Sequence, residues 1–432
     1  MGFFNWFGPS WKYFQSHLLA WVRIHLAHCE KEYFIFGLGH HIKIFYLLCR
    51  HESEFIQEIV EEMIKKLNSK FLIINKNLVG IESIMAELIP SYLDFGNNVC
   101  MIGICGMGGI GKTTLARVVY DMHFDKFEAS SFIADVREKS EKDGLLQLQK
   151  KFLEDILGVT NTNISDVHQG VDIIKNRLRR KKVLLVLDDV NRMDQLEKLA
   201  GEHHWFGLGS RIIITTRDEH VLVAHGVFKI YKPKVLNNDD ALKIFCLKAF
   251  KNVQPKKGYM QLSQEVVEYA NGLPLALVTL SSFLVGRTRD EWQSALDYFK
   301  KNPPKEIIDI LKISFDGLED MLKEVFLDIA CFFLGWCKSR VTHILENCGF
   351  DARIGIRVLV DKSLLTLTRY DFCNDEILGM HDLLKEMAEK IVRQQSCGKL
   401  QRQSRLWRIE DLFLLENNMV RSCNFILANK IE

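Results

Sequence analysis

A glycine-rich run at residues 106–114 ends in one lysine and two threonines, and these residue types at this spacing can hold a polyphosphate. An apolar run precedes it at residues 99–105, and a helix-compatible run follows at residues 115–120. The pattern predicts a strand, a tight turn and a helix start, so that backbone N–H groups and the helix dipole face one small space. The glycines would allow positive φ and a close approach to phosphate oxygens. The alternative is a chance match, which the flanking strand and helix patterns disfavour.

The members of this run have distinct expected roles. Lys112 would reach the β- and γ-phosphates of a nucleotide, and the Thr113 hydroxyl would ligate Mg²⁺. The other expected phosphate contacts come from the loop and the first turn of the helix: Gly106, Gly108, Gly109, Ile110, Gly111 and Thr114. The run therefore predicts a site for a nucleotide and its magnesium ion.

Two carboxylates follow a second apolar run. Residues 183–187 are apolar at every position, which is typical of a parallel strand covered on both faces. Carboxylates after such a strand lie at the edge of the sheet where ligands bind. We expect Asp188 to hold Mg²⁺ and Asp189 to polarise an attacking water, and the short side chain of Asp189 is consistent with slow hydrolysis. The alternative is that both residues begin a solvated loop.

Arg217 ends a further apolar run that begins at residue 211. Its guanidinium would be placed to sense a γ-phosphate through charge-assisted hydrogen bonds. The alternative for this residue is an ordinary surface arginine.

The strand-like runs place these residues in one domain. Runs at residues 99–105, 131–136, 183–187 and 211–215 alternate with helical patterns, which predicts a three-layer α/β domain with a parallel sheet over residues 79–232. A helix before the first strand is expected to end at Pro90. The fold class that follows is an α/β P-loop NTPase domain.

After residue 232 the pattern becomes helical. Helices are predicted at residues 239–250, 258–270 and 275–284, which gives an all-α helical subdomain at residues 233–302. Further helices and a strand-like run at residues 363–368 favour a winged helix at residues 303–395. The remaining segments are a divergent, poorly structured piece at residues 1–52, a linker helix at residues 53–78 and a tail at residues 396–432.

Composition limits the classes of function. The chain has 432 residues and a formal net charge of +2, which predicts no electrostatic footprint for nucleic acid. The 11 cysteines include no C-x-x-C pair, as expected of reduced thiols in a cytoplasmic protein. The apolar stretch at residues 34–49 is short and interrupted by His and Lys, which does not favour membrane attachment. A cytoplasmic location is therefore expected, and an additional nuclear one stays open.

The order of these motifs resembles the NB-ARC module of plant nucleotide-binding leucine-rich-repeat immune receptors over residues 78–387. Besides the two nucleotide motifs, the resemblance rests on Gly-Leu-Pro-Leu-Ala-Leu at residues 272–277 and Met-His-Asp at residues 380–382. Phe-Leu-Asp-Ile-Ala-Cys-Phe-Phe at residues 326–333 is similar to the subclass that carries an N-terminal TIR domain, as is the helix at residues 54–67.

The resemblance implies roles that spacing alone does not. It implies that Val79 and Gly80 border an adenine and that Pro274 packs against the base when ADP is bound. It also implies that His381 contacts the β-phosphate of ADP, although a lone histidine in this setting would otherwise be a surface residue. ADP would then join the α/β domain to the winged helix.

The function implied is an ADP/ATP switch in plant defence signalling, with a closed ADP state and an open, self-associating ATP state. The alternatives are an active ATPase and a binding-only adaptor that pairs with full-length receptors. Residues 1–50 do not resemble a TIR domain, and no leucine-rich repeat is visible. The expectation is therefore a truncated receptor without NAD-cleaving activity and with slow ATP hydrolysis at most.

Overall fold

The computed structural model describes residues 79–93, 96–158, 164–369 and 375–395, together with Arg405. The expected N-terminal segment 1–52, the linker helix 53–78 and the tail 396–432 apart from Arg405 lie outside the described residues. Within the described ranges, no helix combines the length and the apolar character that crossing a membrane requires.

A five-stranded parallel sheet forms the centre of the first domain. Its strands run in the order β2-β3-β4-β1-β5. Their bounds are β1 Cys100–Cys105, β2 Ala129–Ile133, β3 Val183–Val190, β4 Arg211–Thr216 and β5 Lys229–Tyr231. The first five residues of β3 are at most 1% exposed, as a strand covered on both faces requires.

Helices cover both faces of this sheet. Helices α1 and α2 pack on one face, and α3 to α7 supply the core on the other. Their bounds are α1 Ile81–Leu88, α2 Lys112–His123, α3 Val136–Lys142, α4 Leu145–Leu157, α5 Val167–Leu178, α6 Met193–Ala200 and α7 Glu219–Ala224. The predicted three-layer P-loop NTPase fold is confirmed.

Two strands differ from the prediction. The second strand ends at Ile133, and Val136 already begins α3. The short edge strand β5 was missed, because three residues carry too little pattern. The α-helix before the first strand ends at Leu88, close to the predicted end at Pro90, and the chain continues as a π-helical turn over Ile89–Leu93.

Four helices form the next unit: α8 Asn238–Phe250, α9 Met260–Ala270, α10 Pro274–Leu284 and α11 Arg289–Lys301. Trp292, only 1% exposed, joins them through edge and stacked contacts with Phe245, Phe250 and Tyr259. Pro274 is the first residue of α10, a position where its fixed φ suits the helix and its missing N–H costs nothing. The three predicted helices are therefore observed, with ends shifted by one or two residues.

The last unit combines helices with a two-stranded antiparallel ribbon. Its elements are α12 Lys305–Asp316, α13 Asp320–Asp328, a π-helical turn Ile329–Phe333, α14 Lys338–Asn347, α15 Ala352–Asp361, β6 Thr366–Arg369, β7 Glu376–Gly379 and α16 Asp382–Gln395. This is the expected winged-helix arrangement. The unit shares one apolar core with the α8–α11 unit, so the boundary at residue 302 stays a prediction.

Helix α16 meets the α8–α11 unit through a half-buried hydrogen-bonded group. The Tyr269 hydroxyl lies 3.0 Å from Glu386 Oε2 and 3.2 Å from the Phe299 carbonyl oxygen. A phenol has one proton, so it cannot donate to both acceptors while Glu386 is ionised. Burial, helped by the charges of Glu389 and Asp382, raises the pKa of Glu386 to about 7 despite the bond from Tyr269. A protonated Glu386 satisfies all three groups.

We expect Glu386→Gln to be more stable than the natural protein at pH 8 by about 1–3 kcal/mol and equally stable at pH 5. The folded pKa of Glu386 lies above its unfolded value, so the natural protein loses stability as pH rises from about 4.5 to 7. Urea denaturation at both pH values measures this. Glu306→Gln, on the exposed start of α12, is the control, and an equal gain at pH 5 and pH 8 would contradict the assignment.

Candidate nucleotide-binding site

The glycine-rich loop joins β1 to α2 through two glycines with positive φ. Gly109 and Gly111 have φ of 81° and 97°, values that favour glycine. Lys112 opens α2 and is 6% exposed, and its Nζ donates to the carbonyl oxygens of Gly106 at 2.8 Å and Met107 at 2.9 Å. Burial, with the nearby Arg217 charge, lowers the pKa of Lys112 to about 8. The loop therefore holds a buried ammonium at the start of a helix.

The remaining loop residues differ in exposure. Gly106 lies beside Pro233, where an added Cβ would be 3.9 Å from the proline Cδ. Ile110 is buried in the core of the α8–α11 unit, and Thr114 is exposed in the first turn of α2. The structure thus brings the predicted loop residues together, although their contacts with a nucleotide stay a prediction.

Asp188 lies directly opposite the loop. The Thr113 hydroxyl donates to Asp188 Oδ1 at 2.9 Å, and the Thr215 hydroxyl donates to the same oxygen at 2.6 Å. Burial raises the pKa of Asp188, and the two hydroxyl bonds oppose the rise. A hydroxyl beside a carboxylate is the donor set that Mg²⁺ takes when phosphate oxygens and water complete its shell. In the part of the chain described, no group of three His, Cys, Asp or Glu could hold a metal, so such a cation would depend on those further ligands.

Asp189 lies between two arginines. Arg137 Nε and Nη2 lie 2.8 and 2.7 Å from Asp189 Oδ2, and Arg217 Nε lies 3.5 Å from Oδ1. The residue has φ of 57°, at a point where the pairing of β3 with β4 shifts register. Asp189, which we expect beside a catalytic water, is therefore part of an ion network with Arg137 and Arg217. Arg137 was not recognised from the sequence, because no motif spacing marks the start of α3.

Arg217 is not an isolated surface side chain. Its Nη1 donates to the carbonyl oxygen of Ile310 on α12 at 2.7 Å. A Cβ added at Gly108 would lie 2.7 Å from Arg217 Nη1 and 3.1 Å from that carbonyl oxygen. The winged-helix unit thus approaches the loop at Gly108 with no room for a side chain.

The α8–α11 unit covers the loop at the next residue. The Leu275 N–H donates to the carbonyl oxygen of Gly109 at 3.2 Å. A Cβ added at Gly109 would lie 2.7 Å from Leu275 Cβ. The loop is therefore where all three units meet, and Leu275 and Ile310 are contacts that local pattern could not predict.

The residues expected around the base gather at Leu236. A Cβ added at Gly80, whose φ is 76°, would lie 3.7 Å from Leu236 Cδ2, and the Leu236 N–H donates to the Gly272 carbonyl oxygen at 2.9 Å. Val79 precedes the first glycine, and Pro274 follows the second by two residues. The structure brings both segments to one place, with Leu236 as a neighbour that the sequence did not reveal.

His381 lies against the turn that leads to Pro274. Its Nδ1 accepts from the Leu383 N–H at 3.2 Å, which leaves Nε2 to donate to the Asn271 carbonyl oxygen at 3.1 Å. Burial lowers the pKa of His381, and the Asn271 bond and the Asp382 charge oppose this. Asp382 also accepts from Asn271 Nδ2 at 2.9 Å. The histidine is therefore neutral and packed on the α8–α11 unit, and its phosphate contact stays a prediction.

Two known protein families match the regions that form the nucleotide domain and the winged-helix unit. The NB-ARC domain matches residues 81–254, and the winged-helix domain of Roq1-like disease resistance proteins matches residues 319–396. The chain carries an NB-ARC domain. The resemblance to the TIR-type plant resistance proteins is thereby confirmed, and this NB-ARC family implies nucleotide binding.

Its relatives are plant resistance proteins. Disease resistance protein RUN1 of Vitis rotundifolia is 43% identical over 358 residues, which cover 83% of this chain and 26% of the relative. The TMV resistance protein N of Nicotiana glutinosa is 40% identical over 370 residues, covering 84% of this chain and 31% of the relative. The chain thus spans about a quarter to a third of these relatives. A Walker-type ATPase of Pyrococcus abyssi overlays with a TM-score of 0.45 at 13% identity, covering 71% of this chain and 93% of that one.

We expect nucleotide binding to take up a proton at Lys112 above pH 8. The pKa of this ammonium is about 8, and a phosphate beside it would favour the charged form. The dissociation constant of ADP should therefore rise by up to about tenfold per pH unit above 8. Calorimetry in two buffers of different ionisation enthalpy counts the protons. Lys112→Arg, which stays charged, should bind without uptake, and ADP binding by the natural NB-ARC domain without proton uptake would contradict the expectation.

Proposed function

We propose that this chain is a nucleotide-operated switch of plant defence, closed with ADP and open with ATP. The observation that carries the proposal is that two other units cover the phosphate loop. Leu275 of the α8–α11 unit bonds to Gly109, and Ile310 of the winged-helix unit accepts from Arg217 beside Gly108. The affinity of a ligand for that loop would therefore depend on whether the two units are packed on it.

The diphosphate form would favour the closed arrangement through His381. The Nε2–H of this residue points to the Asn271 backbone, in the turn before Pro274. Because an imidazole N–H can donate to a phosphate oxygen as well as to a carbonyl, His381 would bind ADP from the winged-helix side. Val79, Gly80 and Pro274 would enclose the base.

The triphosphate form would favour opening through Arg217. In the closed arrangement its Nη1 is bound to the Ile310 carbonyl oxygen. If a γ-phosphate draws Nη1 away from that carbonyl oxygen, one contact that holds α12 in place is lost. A ligand shifts such an equilibrium only by its different affinity for the two states, and Arg217 and His381 would supply the difference. Mg²⁺ at Thr113 and Asp188 would accompany the nucleotide.

The open state would associate with further copies or with full-length receptors in the cytoplasm. The sequence similarity to resistance proteins supports this proposal, and those relatives extend well beyond the region matched here.

We expect Lys112→Ala to abolish ADP binding and Asp382→Val to raise the ATP-bound or oligomeric fraction. The second change removes the side-chain bond to Asn271 that holds α16 on the α8–α11 unit. Mass spectrometry of the carried nucleotide and light scattering on the purified chain measure both effects.

Asp320→Val is the matched control for Asp382→Val, because Asp320 also lies in the first turn of a helix and its side chain is fully exposed. The control should keep the nucleotide and the oligomeric state of the natural protein. An Asp382→Val protein that still purifies as an ADP-loaded monomer would be evidence against the switch.

A further inference from the structure

The Arg137–Asp189 ion pair holds the second carboxylate of the site in an unusual way. Both donor atoms of Arg137 converge on Asp189 Oδ2, at 2.8 and 2.7 Å, and the other oxygen faces Arg217 Nε at 3.5 Å. The two side chains are about a quarter exposed, so the pair is shielded from bulk water without being sealed. An oxygen that accepts two N–H bonds has no free lone pair in its plane for a proton from water.

The backbone at Asp189 supports the same orientation. Its φ of 57° is uncommon for a residue with a Cβ, and the strain is held by the Asp189 N–H, which donates to Thr215 Oγ1 at 2.8 Å. That hydroxyl in turn donates to Asp188. A series of hydrogen bonds through Thr215 therefore fixes the orientation of both carboxylates. Asp188 faces Thr113, and Asp189 faces Arg137.

Asp189 lines a cleft of about 300 Å³. Arg137 and Glu141 of α3 border it, as do Ile313 and Ser314 of α12. The carboxylate that could polarise a water therefore faces the space between the nucleotide domain and the winged-helix unit, whereas Asp188 faces the phosphate loop.

We infer that Arg137 is a positioning residue that withholds Asp189 from ATP hydrolysis, an inference that rests on the proposed function. In the withheld step, a water oxygen would bond to the γ-phosphorus as the bond from the γ-phosphorus to the β–γ bridging oxygen breaks. Asp189 would accept the proton that the water loses, and ADP and inorganic phosphate would leave. While Arg137 holds Asp189, Oδ2 is not available as this acceptor, and Oδ1 is kept turned toward Arg217.

The Arg137–Asp189 pair lies within the nucleotide domain, whereas the contacts that close the structure join different units. The Arg217 bond to Ile310 crosses to α12 and is lost if the winged-helix unit moves away. Arg137 belongs to α3, which packs on the same sheet that carries Asp189. The ion pair therefore survives opening, and an ATP-bound open state would persist because its nucleotide is hydrolysed slowly.

Single-turnover hydrolysis of bound ATP tests this on the full chain. We expect Arg137→Ala to hydrolyse ATP at least about tenfold faster, which corresponds to about 1.4 kcal/mol in the barrier. Calorimetry should give an unchanged affinity for the slowly hydrolysed analogue ATPγS. Arg137→Lys, which keeps the charge but loses the two-pronged geometry, should give an intermediate rate. The double variant Arg137→Ala with Asp189→Asn should return to the slow rate, a result that loosened packing alone would not produce.

Arg192→Ala is the matched control, because Arg192 makes a comparable pair with Asp194 at an exposed helix start. Its rate should equal that of the natural protein. An Arg137→Ala protein that binds ATPγS normally but hydrolyses ATP at the natural rate or more slowly would overturn the inference. If Arg137→Ala fails to fold, an Arg137→Lys rate no faster than the natural one overturns it instead. Failure of the natural protein to bind ATPγS or ADP would refute the proposed function itself, before any hydrolysis is measured.

Discussion

The close approach of two helices to the phosphate loop is the constraint on which the arrangement of the three units depends. A Cβ at Gly109 would lie 2.7 Å from Leu275 Cβ, and a Cβ at Gly108 would lie 3.1 Å from the Ile310 carbonyl oxygen. The loop glycines therefore serve two purposes: they allow the phosphate-binding backbone, and they leave room for Leu275 and Ile310 to cover it. The units therefore pack on the same atoms that we propose for nucleotide binding.

Charge ties the loop to its surroundings. Burial disfavours the charged forms of Lys112 and Arg217, and the nearby charge of Asp189 opposes this for both. Arg137 pairs with the same carboxylate. The contacts of this network divide into two groups. Contacts within the nucleotide domain fix the orientation of the two carboxylates. The Arg217 bond to Ile310 and the ion pair of Lys362 with Asp218, at 2.8 Å, join that domain to the winged-helix unit.

A second surface holds the winged helix independently of the loop. Asp382 and Glu386 of α16, with His381 just before it, bond to Asn271 and Tyr269 at the end of α9. These contacts are hydrogen bonds between polar groups at the margin of a shared apolar core. Such bonds contribute modestly in free energy, about 0.5–1.5 kcal/mol each, beside the apolar core that the two units share.

The sequence by itself determined the phosphate loop, the strand that ends in Asp188 and the order of the three units. These features are local: a glycine run before a helix, an unbroken apolar run and helical periodicity can each be recognised within about ten residues. Only the tertiary structure decided that Arg137 holds Asp189, that Ile310 accepts from Arg217 and that Leu236 joins the two segments expected around the base. Each of these contacts links elements far apart in the chain, and periodicity predicts which face of an element is buried without predicting what it is buried against.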